Sequence, residues 1–160
     1  MIFEELKSVI AQLDTDAFFV YGDEFYANIE SDAVEHTKTY IVLDVATNLT
    51  GRFTKAGVLQ DTINLSIGFF SNYNSDTLYH TELDDANEQL DQIQKRCLEL
   101  ARTFLNVLVK DFDLIDRANT KMEQITYTID PVQFVYDANF HGVLLRVSIP
   151  VVIPLNYCIL

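Results

Sequence analysis

Three histidines, two cysteines and 24 carboxylates are the residues of this 160-residue chain that carry the usual catalytic and metal-binding chemistry. His36, His80 and His141 share no local partner at metal-ligand spacing, and Cys97 and Cys158 stand far apart, so together they spell no zinc pattern. Asp111-x-Asp113 with Asp116 has the beginnings of a calcium loop but lacks its central glycine and closing glutamate. Carboxylate pairs such as Asp14/Asp16, Asp23/Glu24 and Asp111/Asp113 carry little signal in a chain so rich in acids. Five glycines scattered singly make no phosphate-cradling loop, and no serine has a G-x-S-x-G context. His80 beside Glu82 and Asp84 would at most form a pH-sensitive helix cap. Asn48-Leu49-Thr50 is a glycosylation sequon with meaning only in a secreted chain. The expectation is a protein that is not an enzyme, with no catalytic residue, metal or cofactor.

The elements are more legible than the chemistry. Thr81 to Lys110 carries Leu83, Ala86, Leu90, Ile93, Cys97, Leu100, Phe104 and Leu108 at steps of three and four, an apolar stripe at helical period. Thr81 would cap it, with Asp84 at the third helical position. Acids crowd its first turns, and Lys95, Arg96, Arg102 and Lys110 come later, as the helix dipole favours. A helix of about 29 residues is a rod of roughly 43 Å, long enough to back a sheet. Cys97 lies on the stripe and reads as a reduced core residue.

Ile2 to Leu13 has helical spacing and predicts a short amphipathic helix. Ala17 to Tyr21 reads as a buried strand, Gly22 to Glu24 as a turn, Phe25 to Ile29 as a second short strand, and Ser31 to Lys38 as a loop. Tyr40 to Ala46 and Gln60 to Phe70 alternate, with Ile63, Leu65, Ile67 and Phe69 on one side. Such patterning places one side of a sheet on the core. Between them Thr47 to Leu59 is an extended hairpin arm or a loop. Its basic pair, Arg52 and Lys55, with Phe53 between them, is a candidate docking element for an acidic neighbour or a second copy of the chain. Ser71 to His80 is a polar connection. Asp111 to Lys121 is a connector anchored by Phe112, Leu114 and Ile115. Ile125 to Ile129 is a strand that Asp130-Pro131 should end. Gln133 to Tyr136 is a short strand or edge, and Asn139 to Gly142 a turn. Val143 to Ile153 alternates again, with Pro150 and Pro154 expected to make its end an edge or carry it off the sheet. The apolar tail LNYCIL is either core or interface. Asp44 and Arg146, charges inside alternating strands, mark a solvent face or a subunit contact. The fold class is α+β: a single domain over residues 1–160, with a mainly antiparallel sheet backed by one long helix and a short N-terminal helix.

The formal charge is −13, and it is uneven: residues 1–36 hold nine acids and one base, residues 37–70 two acids and three bases. That balance argues against groove binding to DNA, which needs lysines and arginines to displace counterions. No apolar run approaches the length of a membrane span. The start lacks the basic region of a signal peptide, so the expectation is a protein that stays in the cytoplasm of the cell that makes it.

The order of a short helix (Ile2–Leu13), strands with a long excursion (Tyr40–Ala46, Gln60–Phe70), one dominant helix (Glu82–Lys110) and closing strands (Ile125–Ile129, Val143–Ile153), in an acidic chain of this size, resembles the tail terminator, or tail completion, proteins of long-tailed bacteriophages. The resemblance covers nearly the whole chain and is one of topology, so no family residue is carried over. It implies a virion structural protein at the neck that forms a ring, a homohexamer, capping the tail tube and meeting other neck and tail proteins. It implies assembly in the host cytoplasm, and DNA passing an acidic lumen without specific binding. A head–tail connector, a tail tube subunit, and a small ligand-binding or enzyme domain are the alternatives.

Overall fold

The computed structural model describes residues 2–13, 17–21, 39–44, 47–53, 59–72, 83–118, 124–135 and 140–152. In chain order these form α1 (Ile2–Ile10), β1 (Phe18–Tyr21), β2 (Thr39–Leu43), β3 (Asn48–Phe53), β4 (Leu59–Asn72), α2 (Leu83–Asp111), β5 (Thr126–Val135) and β6 (Phe140–Val151). The strands make one sheet in the order β1-β2-β4-β6-β5, with β3 attached to β4 beside β2. Only β1 and β2 pair in parallel; every other pair is antiparallel. The class is α+β, as the pattern of periods implies. The expected short strand at Phe25–Ile29, the loop Ser31–Lys38, the Thr81 cap, Lys55, Pro154 and the tail LNYCIL lie outside the described residues.

Period two decides the core. Ile63, Leu65, Ile67 and Phe69 of β4 face the same way as Val143, Leu145, Val147, Ile149 and Val151 of β6, and all nine are buried. Above them α2 buries Cys97, Ala101, Phe104, Leu105 and Leu108, a stripe at steps of three and four. Phe69 and Phe104 meet with ring centroids 5.6 Å apart and planes tilted by 57°. α1 and the turn that follows it add Leu6, Val9, Ile10 and Leu13 to the same cluster; in that turn Gln12 N donates to Val9 O and Leu13 N to Ile10 O. Where α2 stops, the chain plugs the core with Phe112, Leu114 and Ile115. Arg117 then folds back on the helix end, donating to the carbonyls of Val109, Lys110 and Phe112 at 2.9, 2.6 and 3.3 Å. A cation on the C-terminal carbonyls of a helix satisfies them and opposes the negative end of the dipole; the Phe112 carbonyl also accepts Ile115 N at 3.3 Å.

Four local expectations are corrected. Asp130-Pro131 does not end a strand: β5 runs through it, with Pro131 opposite Val143, and shifts register between Val132 and Val135. The strand is the last on its side of the sheet among the described residues, where a missing N–H is tolerated. Phe140, His141 and Gly142 are not a turn but the start of β6. Pro150 neither leaves the sheet nor breaks the β4 ladder. Its carbonyl accepts Asp116 N at 3.2 Å on the side away from β4. The N and C=O of a strand residue point the same way, so the absent N–H costs no bond to β4. Finally, the sheet face away from α2, which period two alone would leave to solvent, is polar toward one end only. Tyr40, Val42, Phe70 and Phe140 are buried there. Phe18 stacks on Tyr40 at 5.6 Å, and Phe140 meets Tyr40 edge-on at 5.3 Å.

Candidate functional site

The polar end of that face is built from short polar side chains at alternate positions of four strands. Asn64 Nδ2 donates to Asn48 Oδ1 at 2.9 Å and to Thr50 Oγ1 at 3.3 Å. Ser148 Oγ donates to Asn64 Oδ1 at 2.7 Å. The amide of Asn64 thus ties β3, β4 and β6 together. Arg146 of β6 pairs with Asp130 of β5 at 2.5 Å. Both ends of that pair are about half exposed, so its net worth is small. Asn48, Asn64, Ser66, Thr126, Thr128, Arg146 and Ser148 border a shallow hollow of about 320 Å³. The alternation of Gln60 to Phe70 sets Asn64 and Ser66 opposite the core side, but it does not give their bonds, because the partners are 14 to 84 residues apart.

The candidate docking stretch is placed by the same bonds. Asp44 and Thr47 flank the connection between β2 and β3. Asp44 N donates to Ser66 O at 2.8 Å, and Thr47 N to Asp44 O at 3.0 Å. Ser66 N donates to Thr47 Oγ1 at 3.0 Å, and Ser66 Oγ to Asp44 Oδ2 at 3.2 Å. Asp44 therefore fastens a strand junction within the chain. β3 then pairs with the first half of β4, from Asn48↔Asn64 to Phe53↔Leu59. Of the two options for this stretch, the hairpin arm is the one observed. All six β3 residues are exposed. Leu49 and Phe53, on one face of the arm, are 46% and 79% exposed. Arg52 and Phe53 are adjacent, so their side chains point to opposite faces.

A second concavity lies at the far side of the sheet, between the C-terminal half of α2 and β5. It encloses about 810 Å³ and is lined by Arg102, Leu105, Asn106, Val109, Lys110, Arg117, Ile125 and Tyr127. The described residues that line it include three cations and no carboxylate. Sequence reading missed it, because its residues come from the helix, the connector and a strand.

The groups with ordinary catalytic chemistry sit elsewhere. Cys97 is fully buried under β4 and β6, and burial pushes its thiol up to about 11, so it stays protonated and unreactive at neutral pH. His141 is fully buried opposite Ser71, whose hydroxyl accepts a 2.6 Å hydrogen bond from Arg96. Burial lowers the pKa of His141 below its ordinary 6.5, so the fold holds it neutral. The unfolded chain takes up the proton near 6.5. Stability is therefore expected to fall as pH drops below about 6.5, at no more than about 1.4 kcal/mol per pH unit for one proton. Urea unfolding at pH 7, 6 and 5 should show that slope, and His141→Gln should flatten it; an unchanged slope would assign the proton to another group. Among the described residues no three His, Cys, Asp or Glu side chains stand close enough to hold a metal ion.

No helix among the described residues is long and apolar enough to cross a membrane. The chain matches no protein-family model and no curated protein sequence.

Proposed function

We propose that this chain is a non-enzymatic structural subunit of a phage virion. In this reading it is a tail terminator that associates with itself in a ring at the head–tail junction and docks through the β3–β4 arm. The observation that carries the reading is the arm. A strand with every residue exposed and a phenylalanine 79% exposed near its tip makes little sense as a finished surface, and good sense as one that a neighbour covers. The polar bonds at residues 44–50 hold the arm in place before any partner arrives. The acidic balance fits a lumen that DNA slides past without sticking.

The test is the assembly state by light scattering, followed by negative-stain imaging. The reading expects closed rings with a central hole, or ring formation on meeting tail tubes. Arg52→Glu with Lys55→Glu, and separately Phe53→Ser, should each reduce assembly or tube capping at least tenfold while leaving the thermal midpoint within a few degrees. Unchanged assembly in both variants would remove the arm from the interface. A compact dimer, unaltered by concentration and never closing into a ring, would favour a ligand-binding protein using the polar hollow at Asn64 and Ser148.

A further inference from the structure

The long helix does not cover the whole sheet, and its uncovered margin is basic. α2 packs on β6 and β4. β5 lies one strand further out, about 4.8 Å beyond β6. Tyr127 stands opposite the buried Val147, so it faces the helix side of the sheet, yet it is 58% exposed. The result is a step. Ile125 and Tyr127 form its floor, and residues 102 to 110 of α2 form its wall. Arg117 sits where the helix ends, held there by the carbonyls of Val109 and Lys110.

Two of the three cations on this step have no such bonds to the helix end. Arg102 and Lys110 are exposed, and among the described residues neither enters an ion pair. Lys110 is in the last turn of α2 and offsets the dipole. Arg102 lies more than two turns before Asp111, beyond the reach of that effect. Acids outnumber bases 24 to 11 in this chain, so cations lining a groove with no carboxylate among them go against the overall balance. Exposed Arg and Tyr side by side are also the residue types that carry binding energy at protein interfaces.

Spacing and width decide what fits. Arg102, Asn106 and Lys110 follow at intervals of four, so the two cations stand about 12 Å apart along one helix face. An extended chain covers about 13 Å in four residues, and flexible Arg and Lys side chains close the difference. A partner helix could match that length as well, but it is about 10–12 Å across, more than twice the one-strand floor. Leu105 and Val109, on the wall beside the cations, give the middle of the site an apolar surface.

We propose that this step is the docking site for an extended acidic segment of a partner protein, with the pattern acid–x–apolar–x–acid. The outer carboxylates accept hydrogen bonds from Arg102 and Lys110. The central side chain rests on Leu105, Val109 and Tyr127. The net charge of −13 repels an acidic segment in general, so attraction at the step directs the partner as well as holding it. The site lies on the far side of β6 from the β3–β4 arm, and it adds a second contact to the one proposed there.

The probes are three fluorescein-labelled heptapeptides, Gly-Asp-Thr-Val-Thr-Asp-Gly and its versions with Leu or Tyr at the centre, titrated with the full chain by fluorescence anisotropy. At least one should bind saturably with Kd below about 1 mM. Replacing both of its Asp residues by Asn should weaken it at least tenfold, and so should Arg102→Glu/Lys110→Glu in the protein. Tyr127→Ser should also weaken it, while Arg52→Glu on the arm should leave it unchanged. Circular dichroism should be the same for all three protein variants, since each replaced side chain is exposed. Raising the salt should loosen the complex. Failure of all three peptides to bind, or binding that survives reversal of the groove, would overturn the inference. So would a DNA oligonucleotide or an acidic helical peptide that binds the step as tightly, since the site would then be selective neither for a peptide nor for an extended one. Ring formation is scored separately on the same variants and is expected to survive reversal of the groove. Its loss in the groove variant, with no peptide bound by the wild type, would assign the step to a contact between copies and overturn the inference.

Discussion

Gly142→Ala is expected to destabilise the fold by about 2–4 kcal/mol, a large effect for one methyl group. A Cβ at this position would lie 1.9 Å from the carbonyl oxygen of Phe69 and 3.0 Å from Phe70 Cα. Both are backbone atoms of β4, the strand that pairs with β6 over its length. No rotamer change relieves the clash; the two strands must separate where they also bury Phe69 and Val143. Gly68 provides the contrast. Its added Cβ would meet the far end of the Phe70 ring at 2.0 Å, and a ring can swing aside. Gly68→Ala should cost about 1–2 kcal/mol, and Phe70→Leu should recover part of that loss in a double-mutant cycle. No side-chain substitution should rescue Gly142→Ala. Urea unfolding of the four variants measures all of this; equal costs at the two glycines would mean that the backbone approach at Gly142 is looser than it stands here.

Phe104→Ala is expected to cost about 3–5 kcal/mol, a fifth or more of the roughly 5–15 kcal/mol stability of an ordinary domain. Phe104 is fully buried in the stripe of α2 and packs on Phe69, itself fully buried. The truncation removes the ring from the centre of the helix–sheet contact. The cavity cannot collapse easily, because one wall is a continuous strand and the other a continuous helix. Phe104→Leu keeps most of the volume and should lose about 1 kcal/mol. A loss below about 1 kcal/mol for the alanine variant, read from the urea midpoint at unchanged m-value, would show that α2 does not seat on β4 at this point.

The parts of the fold that the sequence announces are those set by a single period. Ile63, Leu65, Ile67 and Phe69 alternate, and Cys97, Phe104 and Leu108 recur at helical steps; in each case local pattern and burial agree. The misreadings share one cause. Asp130-Pro131 and the glycine of Phe140–Gly142 are turn signals by local rule, and both are overridden by pairing with β6 and β4. Gly142 is in the strand because another backbone passes close to it, a reason invisible from neighbours in sequence. The same applies to Tyr40 and Val42. Their period is right, but β2 is buried on both faces, because Phe70 and Phe140 come to the far side from distant segments. The docking stretch was half legible: its basic residues and length marked it, while its form depended on Asn64 and Ser66 reaching back to Asn48 and Thr47. The basic groove was not legible at all, since Arg102, Arg117 and Tyr127 meet only after the connector folds back.

β4 has three partners. Six of its residues hold β3, five further along the same edge hold β2, and from Asp61 onward its other edge is held by β6. The consequence is a hierarchy of opening. β3 can peel from its side while the β4–β6 ladder stays closed, so the arm detaches as a sub-global unit without melting the core. Once peeled, it leaves the outer edge of β4 from Leu59 to Asn64 bare, a strand-long template that can accept the corresponding strand of another molecule. The first part of this sheet to open is expected to be β3, and the last the β4–β6 ladder.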